Sequence, residues 1–246
     1  MQKVKHCFFM SKQTTIKQHM YNNQTSQLYA SLGVTGTTYQ ISFNELLSLV
    51  GTLENKTCLD FGCGAGRSTK LLQTLNLSKI VGIDHNFEMV QQAQQKYNDL
   101  TFEHISSDEL PFPDTTFDIV FALHVLCEIK TKAAMQAVVK EIARILKPGG
   151  NFYVITTNPE AFGHEFVSYR YGLPKTFQDE ESVACHVKTQ PPFTINDTFW
   201  SLEGYENIFQ GHFEISNKAF PLGSGPQWLD ETKVAPDILY KLQKLD

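Results

Sequence analysis

The chain has 246 residues, of which 41% are hydrophobic, enough to bury the core of one large domain. Its formal net charge of −5 argues against the broad basic surface of a protein that binds nucleic acid or an anionic membrane. No run of about 18 apolar residues occurs, so we expect no membrane-spanning helix. Five cysteines without C-x-x-C spacing predict free thiols, a reducing compartment and hence a cytoplasmic location.

The N-terminal part of the chain predicts helices. Residues 11–32 are polar with scattered apolar positions, a pattern that indicates one or two short helices. Residues 42–53 predict a longer helix, in which Ser42 and Glu45 have the spacing of a capping box.

Strands and helices then alternate along the chain. The predicted strands cover residues 58–61, 80–84, 101–105, 117–122 and 152–156. The predicted helices between them cover residues 67–75, 87–97 and 133–146. Such alternation is typical of an α/β protein with a parallel, doubly wound sheet.

After the fifth strand the alternation stops. Residues 158–198 are rich in aromatic residues, His and Pro and show no helical period, so we interpret them as an insertion that contains a hairpin of 182–189 and 193–198. A helix over 202–209 and a strand over 213–220 follow, and residues 237–242 are a candidate last strand.

The most informative stretch joins the first predicted strand to the first helix of the alternating part. An apolar run ends in Asp60, and glycines then occupy every second position, namely Gly62, Gly64 and Gly66. This pattern predicts a buried strand that turns sharply into a helix, with a backbone that a ligand can approach closely. A dinucleotide-binding loop of the G-x-G-x-x-G type would need glycine at position 67, where Arg67 stands.

The stretch from Asp60 to Gly66 resembles motif I of the class I S-adenosylmethionine-dependent methyltransferases. Further features of that family follow in its order: Asp84 after the second strand, Asp108 after the third, a fourth strand that begins at Phe117, and a Lys-Pro-Gly-Gly turn at 147–150. The resemblance covers roughly residues 55–157.

The resemblance implies a Rossmann-like methyltransferase fold, with a doubly wound, mostly parallel sheet of seven strands whose last strand is antiparallel. It also implies a domain organisation. Residues 1–41 would form an N-terminal helical lid, residues 42–246 the methyltransferase domain, and residues 158–200 an insertion on the acceptor side.

The resemblance further implies that S-adenosylmethionine is the cofactor and S-adenosylhomocysteine the product. Asp60 would meet the methionine ammonium directly or through water, Asp84 would accept the ribose hydroxyls, and Asp108 would accept the adenine amino group. Asp84 or Asn86 could instead simply cap the next helix. The candidate cofactor-binding residues are Tyr39, Asp60, Gly62, Cys63, Gly64, Gly66, Asp84, His85, Met89, Ser107, Asp108, Ala122 and Leu123.

His124 is the candidate catalytic base, because it follows the fourth strand at the sheet edge where ligands bind in open α/β sheets. It could instead line the cofactor pocket or start a helix. Tyr39 could reach the methionine carboxylate or merely pack. The aromatic residues that could wall an acceptor pocket, or only pack the insertion, are Tyr169, Tyr171, Phe193, Phe199 and Trp200. We expect no metal site.

The segment after the fourth strand also bears on the acceptor. It reads Ala-Leu-His-Val over residues 122–125, without the Asn/Asp-Pro-Pro-Tyr of enzymes that methylate base amines or amide side chains. We therefore expect a small-molecule acceptor methylated on O, N or C, no nucleic-acid or membrane partner, and a monomer or homodimer. The alternatives are an RNA or protein methyltransferase with a local basic patch, a non-catalytic cofactor-binding protein of the same fold, and a nicotinamide oxidoreductase.

Overall fold

A computed structural model describes residues 23–107, 109–172 and 176–245. The predicted helical positions before residue 23, and Asp108, therefore lie outside the described residues.

Within the described residues, ten strands form two sheets. The strands are β1 (Thr57–Phe61), β2 (Lys79–Asp84), β3 (Thr101–His104), β4 (Phe117–Leu123), β5 (Leu146–Thr157), β6 (Tyr169–Tyr171), β7 (Ser182–Val187), β8 (Phe193–Thr198), β9 (Phe213–Ala219) and β10 (Asp237–Lys244). The large sheet has the order β3-β2-β1-β4-β5-β10-β9, in which β1 to β5 run parallel and β10 is antiparallel to both of its neighbours. This topology confirms the predicted seven-stranded, mostly parallel sheet with an antiparallel last strand.

Six α-helices accompany these strands in the described part of the chain. They are α1 (Asn23–Ser31), α2 (Tyr39–Val50), α3 (Arg67–Leu72), α4 (Phe87–Lys96), α5 (Lys132–Ile145) and α6 (Leu202–Phe209). None of them is long and apolar enough to cross a membrane.

The capping box predicted at Ser42 and Glu45 is wrong. Helix α2 begins at Tyr39, with Thr38 at the N-cap position, so Ser42 lies about one turn inside the helix. The Ser42 hydroxyl donates instead to the Asp237 carboxylate on β10. The local spacing assigned the Ser42 hydroxyl to the helix N-terminus, but this hydroxyl forms a hydrogen bond to β10 instead.

The central strands are buried on both faces, as expected for parallel strands covered by helices. In β4, Val120 and Ala122 pack into one core cluster with residues of α5 and α6, whereas Phe121 and Leu123 pack into a second cluster with residues of α2 and α3. The alternation of side chains along each strand thus divides the core into two layers.

The insertion is a second, three-stranded sheet in the order β6-β7-β8. The predicted hairpin corresponds to the antiparallel pair β7 and β8. Strand β6 was not predicted, because three residues are too few to show a period of two. Buried side chains of this sheet, including Tyr169 and Val183, join the core cluster that covers one face of the large sheet.

Candidate active site

The loop between β1 and α3 is shaped by its glycines. Gly62 has a φ of 73°, and a Cβ placed on it would come within 2.4 Å of Val125 Cγ2. Its backbone N–H donates to the carbonyl of Ile83 on β2. A side chain at this position would therefore have an unfavourable backbone conformation and would clash with the side chain of Val125.

A cavity of about 570 Å³ opens beside this loop, at the carboxyl ends of β1, β2 and β4. The predicted site residues on its wall are Gly62, Cys63, Gly64, Asp84, His85, Met89, Leu123 and His124. Ligands of open α/β sheets bind at this edge.

Asp84 joins the end of β2 to the glycine loop. Its Oδ2 accepts a hydrogen bond from Gly64 N at 2.8 Å, and its Oδ1 accepts one from Asn86 N at 2.7 Å. Asn86, not Asp84, caps α4, since its side chain accepts from the backbone N–H groups of Glu88 and Met89. Burial raises the pKa of Asp84, although the two backbone donors oppose this shift.

Asp60 is fully buried and does not form part of the cavity wall. Its Oδ2 accepts hydrogen bonds of 2.6 Å from the hydroxyls of Ser68 and Thr69 in the first turn of α3, and its Oδ1 has no hydrogen-bond partner among the described residues. Burial raises the pKa of Asp60 to about 6 in spite of these bonds. The carboxylate thus clamps the loop to the helix and keeps one oxygen free to accept another donor.

The other predicted cofactor residues within the described part of the chain do not line the cavity, and Tyr39 is among them. Ala122 is buried in the core, and Gly66 packs against the rings of Phe102 and Tyr97. Ser107 donates to the carbonyl of Glu109, and its neighbour Ser106 lines the cavity instead.

Arg67 is a cavity residue that the sequence interpretation missed. Its guanidinium lies 4.4 Å from the ring centroid of Tyr39 and 5.1 Å from that of Tyr29. Nη1 of Arg67 donates to the carbonyl of Leu32, which ties the segment before α2 to the glycine loop. A cation at the first residue of a helix is electrostatically unfavourable, and this unusual placement is the sequence signal that could have revealed it.

His124 is held in a strained conformation at the cavity wall. Its φ is 62°, in the left-handed region that residues with a side chain seldom adopt. Its ring meets Tyr39 and Phe43 edge to face, with centroids 5.0 and 6.0 Å away. Burial, aided by the charge of Arg67, lowers the pKa of His124 to about 3, so the imidazole is neutral near pH 7. No helix starts at His124: a short 3₁₀ turn begins two residues later, at Leu126.

The rest of the cavity wall is mainly apolar, although Glu128 and Lys130 also line it. It comes from α2, α5 and the segments after β3 and β4, and its apolar members include Phe43, Ile105, Val125, Ile129, Ala134 and Val138. The insertion aromatics pack instead: Tyr169, Tyr171, Phe193 and Phe199 lie within or against the core, and the indole N–H of Trp200 donates to the carbonyl of Ile129. Of the two alternatives for these five aromatic residues, the packing alternative is the one observed, and none of the five lines this cavity.

Comparison with known proteins identifies the type of domain. Residues 59–154 match a family model described as a methyltransferase domain. Over 143 residues the chain is 34% identical to the demethylmenaquinone methyltransferase of Bacillus licheniformis, covering 53% of this chain and 59% of that protein. Over 146 residues it is 30% identical to the sterol 24-C-methyltransferase of Kluyveromyces lactis, covering 52% of this chain and 38% of that protein. The chain thus spans about half the length of these curated relatives.

A solved structure supports the fold over a longer range. A putative S-adenosylmethionine-dependent methyltransferase from Listeria monocytogenes superimposes with a TM-score of 0.65 at 17% identity, covering 89% of this chain and all of that one. At this identity the likeness establishes the fold.

Proposed function

We propose that this chain, a member of the class I S-adenosylmethionine-dependent methyltransferases, transfers a methyl group to a small apolar acceptor bound beside His124. One observation carries the proposal. A single cavity joins the glycine loop and Asp84 to an apolar wall around His124, so donor and acceptor fit side by side.

The residues of the loop fit S-adenosylmethionine, which supplies a methyl group already activated by a sulfonium charge. The Asp84 carboxylate lines the cavity and suits the ribose hydroxyls. The free Oδ1 of Asp60 is a buried acceptor suited to the methionine ammonium through a water. Met89, Ile105 and Ser106 form the part of the wall that suits the adenine. Asp108, assigned to the adenine amino group by the resemblance, stays a prediction.

The chain's own contribution is chiefly alignment and exclusion of water. Holding two reactants in line supplies ~7–11 kcal/mol of rate enhancement. The buried apolar wall lowers the local dielectric and removes water that would shield the acceptor. His124 is neutral near pH 7, so it has a lone pair that can accept a proton from a hydroxyl or an amine as the methyl group arrives. Its lowered pKa makes it a weak base that needs an anion beside it to stabilise the imidazolium.

The relatives favour an apolar acceptor, since their names state demethylmenaquinone and a sterol as substrates. The net charge of −5 supports a small molecule over RNA. The described cysteines, Cys58, Cys63, Cys127 and Cys185, are free, which supports a reducing compartment such as the cytoplasm.

Calorimetry with S-adenosylhomocysteine tests the donor side. We expect saturable binding to the wild type and a loss of about 100-fold or more for Asp84→Ala, because that change removes a partly buried, charged acceptor from the cavity wall. Asp99→Ala is the matched control, since the Asp99 side chain is half exposed and pairs with Lys70. Absence of binding to folded wild-type protein would refute the proposal.

Transfer of a labelled methyl group into a cell extract, fractionated by size, tests the acceptor class. We expect label in the small-molecule fraction. Label in RNA or protein would favour a macromolecular substrate, and binding without any transfer would favour a non-catalytic protein.

A further inference from the structure

Beside His124 lies a buried carboxylate that the proposed cofactor site does not use. Asp237 begins β10 and is 1% exposed. Its Oδ1 lies 3.7 Å from Nδ1 of His124, within the distance of an ion pair and longer than a hydrogen bond. Such contacts are often long in ligand-free enzymes and shorten when the substrate is bound.

Each of the two side chains has one polar atom that forms no hydrogen bond to the described residues. Nε2 of His124 and Oδ1 of Asp237 are both buried without a hydrogen-bond partner among the described residues. Oδ2 of Asp237 is occupied, because it accepts from the Ser42 hydroxyl on α2. Unpaired buried polar atoms are costly, so one on each of two neighbouring side chains requires an explanation.

We propose that Asp237 is a positioning residue that fixes the proton of neutral His124 on Nδ1 and leaves the lone pair of Nε2 for an acceptor O–H or N–H in the cavity. This inference rests on the proposed methyl transfer. It deepens that function by assigning an acceptor class that carries a proton to be removed.

With a hydroxyl acceptor, methyl transfer forms one bond, breaks another and releases one proton. The acceptor oxygen forms a bond to the methyl carbon, and the carbon–sulfur bond of the sulfonium donor breaks with its electron pair left on sulfur. The hydroxyl proton passes to Nε2 of His124. The resulting imidazolium, with a proton on each nitrogen, is neutralised by the Asp237 carboxylate.

The surroundings of the pair set its pH response. Arg67 and Tyr39 face His124, whereas Asp197, Tyr169 and Cys127 interact electrostatically with Asp237. Burial raises the pKa of Asp237 to about 7, with a further increase from Asp197 and an opposing effect of the Ser42 bond. Below about pH 7 Asp237 is protonated and no longer serves as an anionic acceptor, so we expect kcat to fall on the acid side with an apparent pKa near that of the pair.

The test is the tautomer of His124 in the ligand-free protein, read from imidazole ¹⁵N shifts at pH 8 and assigned with His124→Gln. We expect the proton on Nδ1 in the wild type. In Asp237→Asn the amide oxygen keeps the Ser42 bond and the NH₂ group faces Nδ1, so the proton moves to Nε2. We expect kcat to fall at least 100-fold and the acid limb to disappear, while the affinity for S-adenosylhomocysteine stays unchanged.

Asp197→Asn is the matched control, because Asp197 is also a buried carboxylate but pairs with the hydroxyl of Tyr171. It should keep the Nδ1 tautomer. A wild-type proton on Nε2 at pH 8 would overturn the inference even if Asp237→Asn failed to fold, and so would an unchanged tautomer and kcat in that variant. Failure of the wild type to bind S-adenosylhomocysteine or to transfer methyl would instead refute the proposed function.

Discussion

The cavity has a donor side, lined by the glycine loop and Asp84 with Asp60 buried beneath the loop, and an acceptor side, lined by His124 and by Phe43 of α2 with Asp237 buried beside His124. The donor side is made by residues close in sequence: Asp60 is bonded by side chains eight and nine residues later, and Asp84 by a backbone N–H 20 residues away. The acceptor side depends on contacts such as that between Ser42 and Asp237, which are 195 residues apart. The donor side should therefore tolerate disruption of long-range contacts, whereas the acceptor side should not.

Glu231 makes further long-range contacts of this kind. It is fully buried, and its carboxylate accepts from the hydroxyl of Thr38 and from the backbone N–H groups of Val167 and Leu229. It thus joins the start of α2 to the insertion.

The largest expected effect is that of Glu231→Ala, which should disrupt the packing of α2 on the acceptor side and leave the donor side unchanged. Loss of three hydrogen bonds to a buried carboxylate should lower the free energy of unfolding by about 3 kcal/mol, measured by urea denaturation. The affinity for S-adenosylhomocysteine should change less than about threefold, because Glu231 makes no contact with the glycine loop, Asp60 or Asp84, and the hydrogen bonds of those residues come from groups close to them in sequence. Glu214→Ala on the exposed face of β9 is the control. An equal loss of binding and stability would contradict the division into two sides.

The next effect concerns the donor side and depends on pH. Burial raises the pKa of Asp60 to about 6, so the folded state holds this proton to a higher pH than the unfolded chain does. The stability associated with the neutral form is complete below about pH 4 and is lost as the pH rises through about 6. Asparagine retains an oxygen for the Ser68 and Thr69 hydroxyls, so Asp60→Asn should stabilise the ligand-free protein by about 2 kcal/mol at pH 8 and have little effect at pH 4.

Asp118→Asn is the control with the opposite sign. Partial burial raises the pKa of Asp118, but hydrogen bonds from Thr57 and Lys147 outweigh this effect and lower it to about 2. That variant should lose stability at pH 7 and little at pH 2. A destabilisation by Asp60→Asn that is the same at pH 4 and pH 8 would show that the charge of Asp60 is not the cause.

The smallest effect is expected at Arg67, which connects the two sides through the rings of Tyr29 and Tyr39. Arg67→Lys keeps the charge but loses the planar stacking, so S-adenosylhomocysteine should bind about 1 kcal/mol more weakly by calorimetry. Arg170→Lys, on the exposed face of β6, should leave binding unchanged. A larger loss for Arg67→Lys than for Asp84→Ala would place the main binding contact at the junction of the two sides.

The sequence by itself determined the sheet, the sharp turn at Gly62 and the position of Asp84 at the end of β2. These features are set locally. A strand that is buried on both faces requires a run of apolar residues. At position 62 the positive φ and the side chain of Val125 nearby require glycine. Asp60 is an intermediate case. Its spacing indicated a role at the loop, but only the fold shows it buried beneath the loop, clamped to α3.

Only the tertiary structure decided the acceptor side. Ser42 carries the spacing of a capping residue, yet its hydroxyl binds Asp237, and the acceptor wall comes from α2 and α5 rather than from the aromatic residues of the insertion. Asp237 gives no signal in the sequence, because one acid at the start of a strand has no period and no motif. The physical reason is that periodicity and turn chemistry report forces between neighbours in the chain, whereas a hydrogen bond across 195 residues exists only after the sheet has brought β10 beside β5.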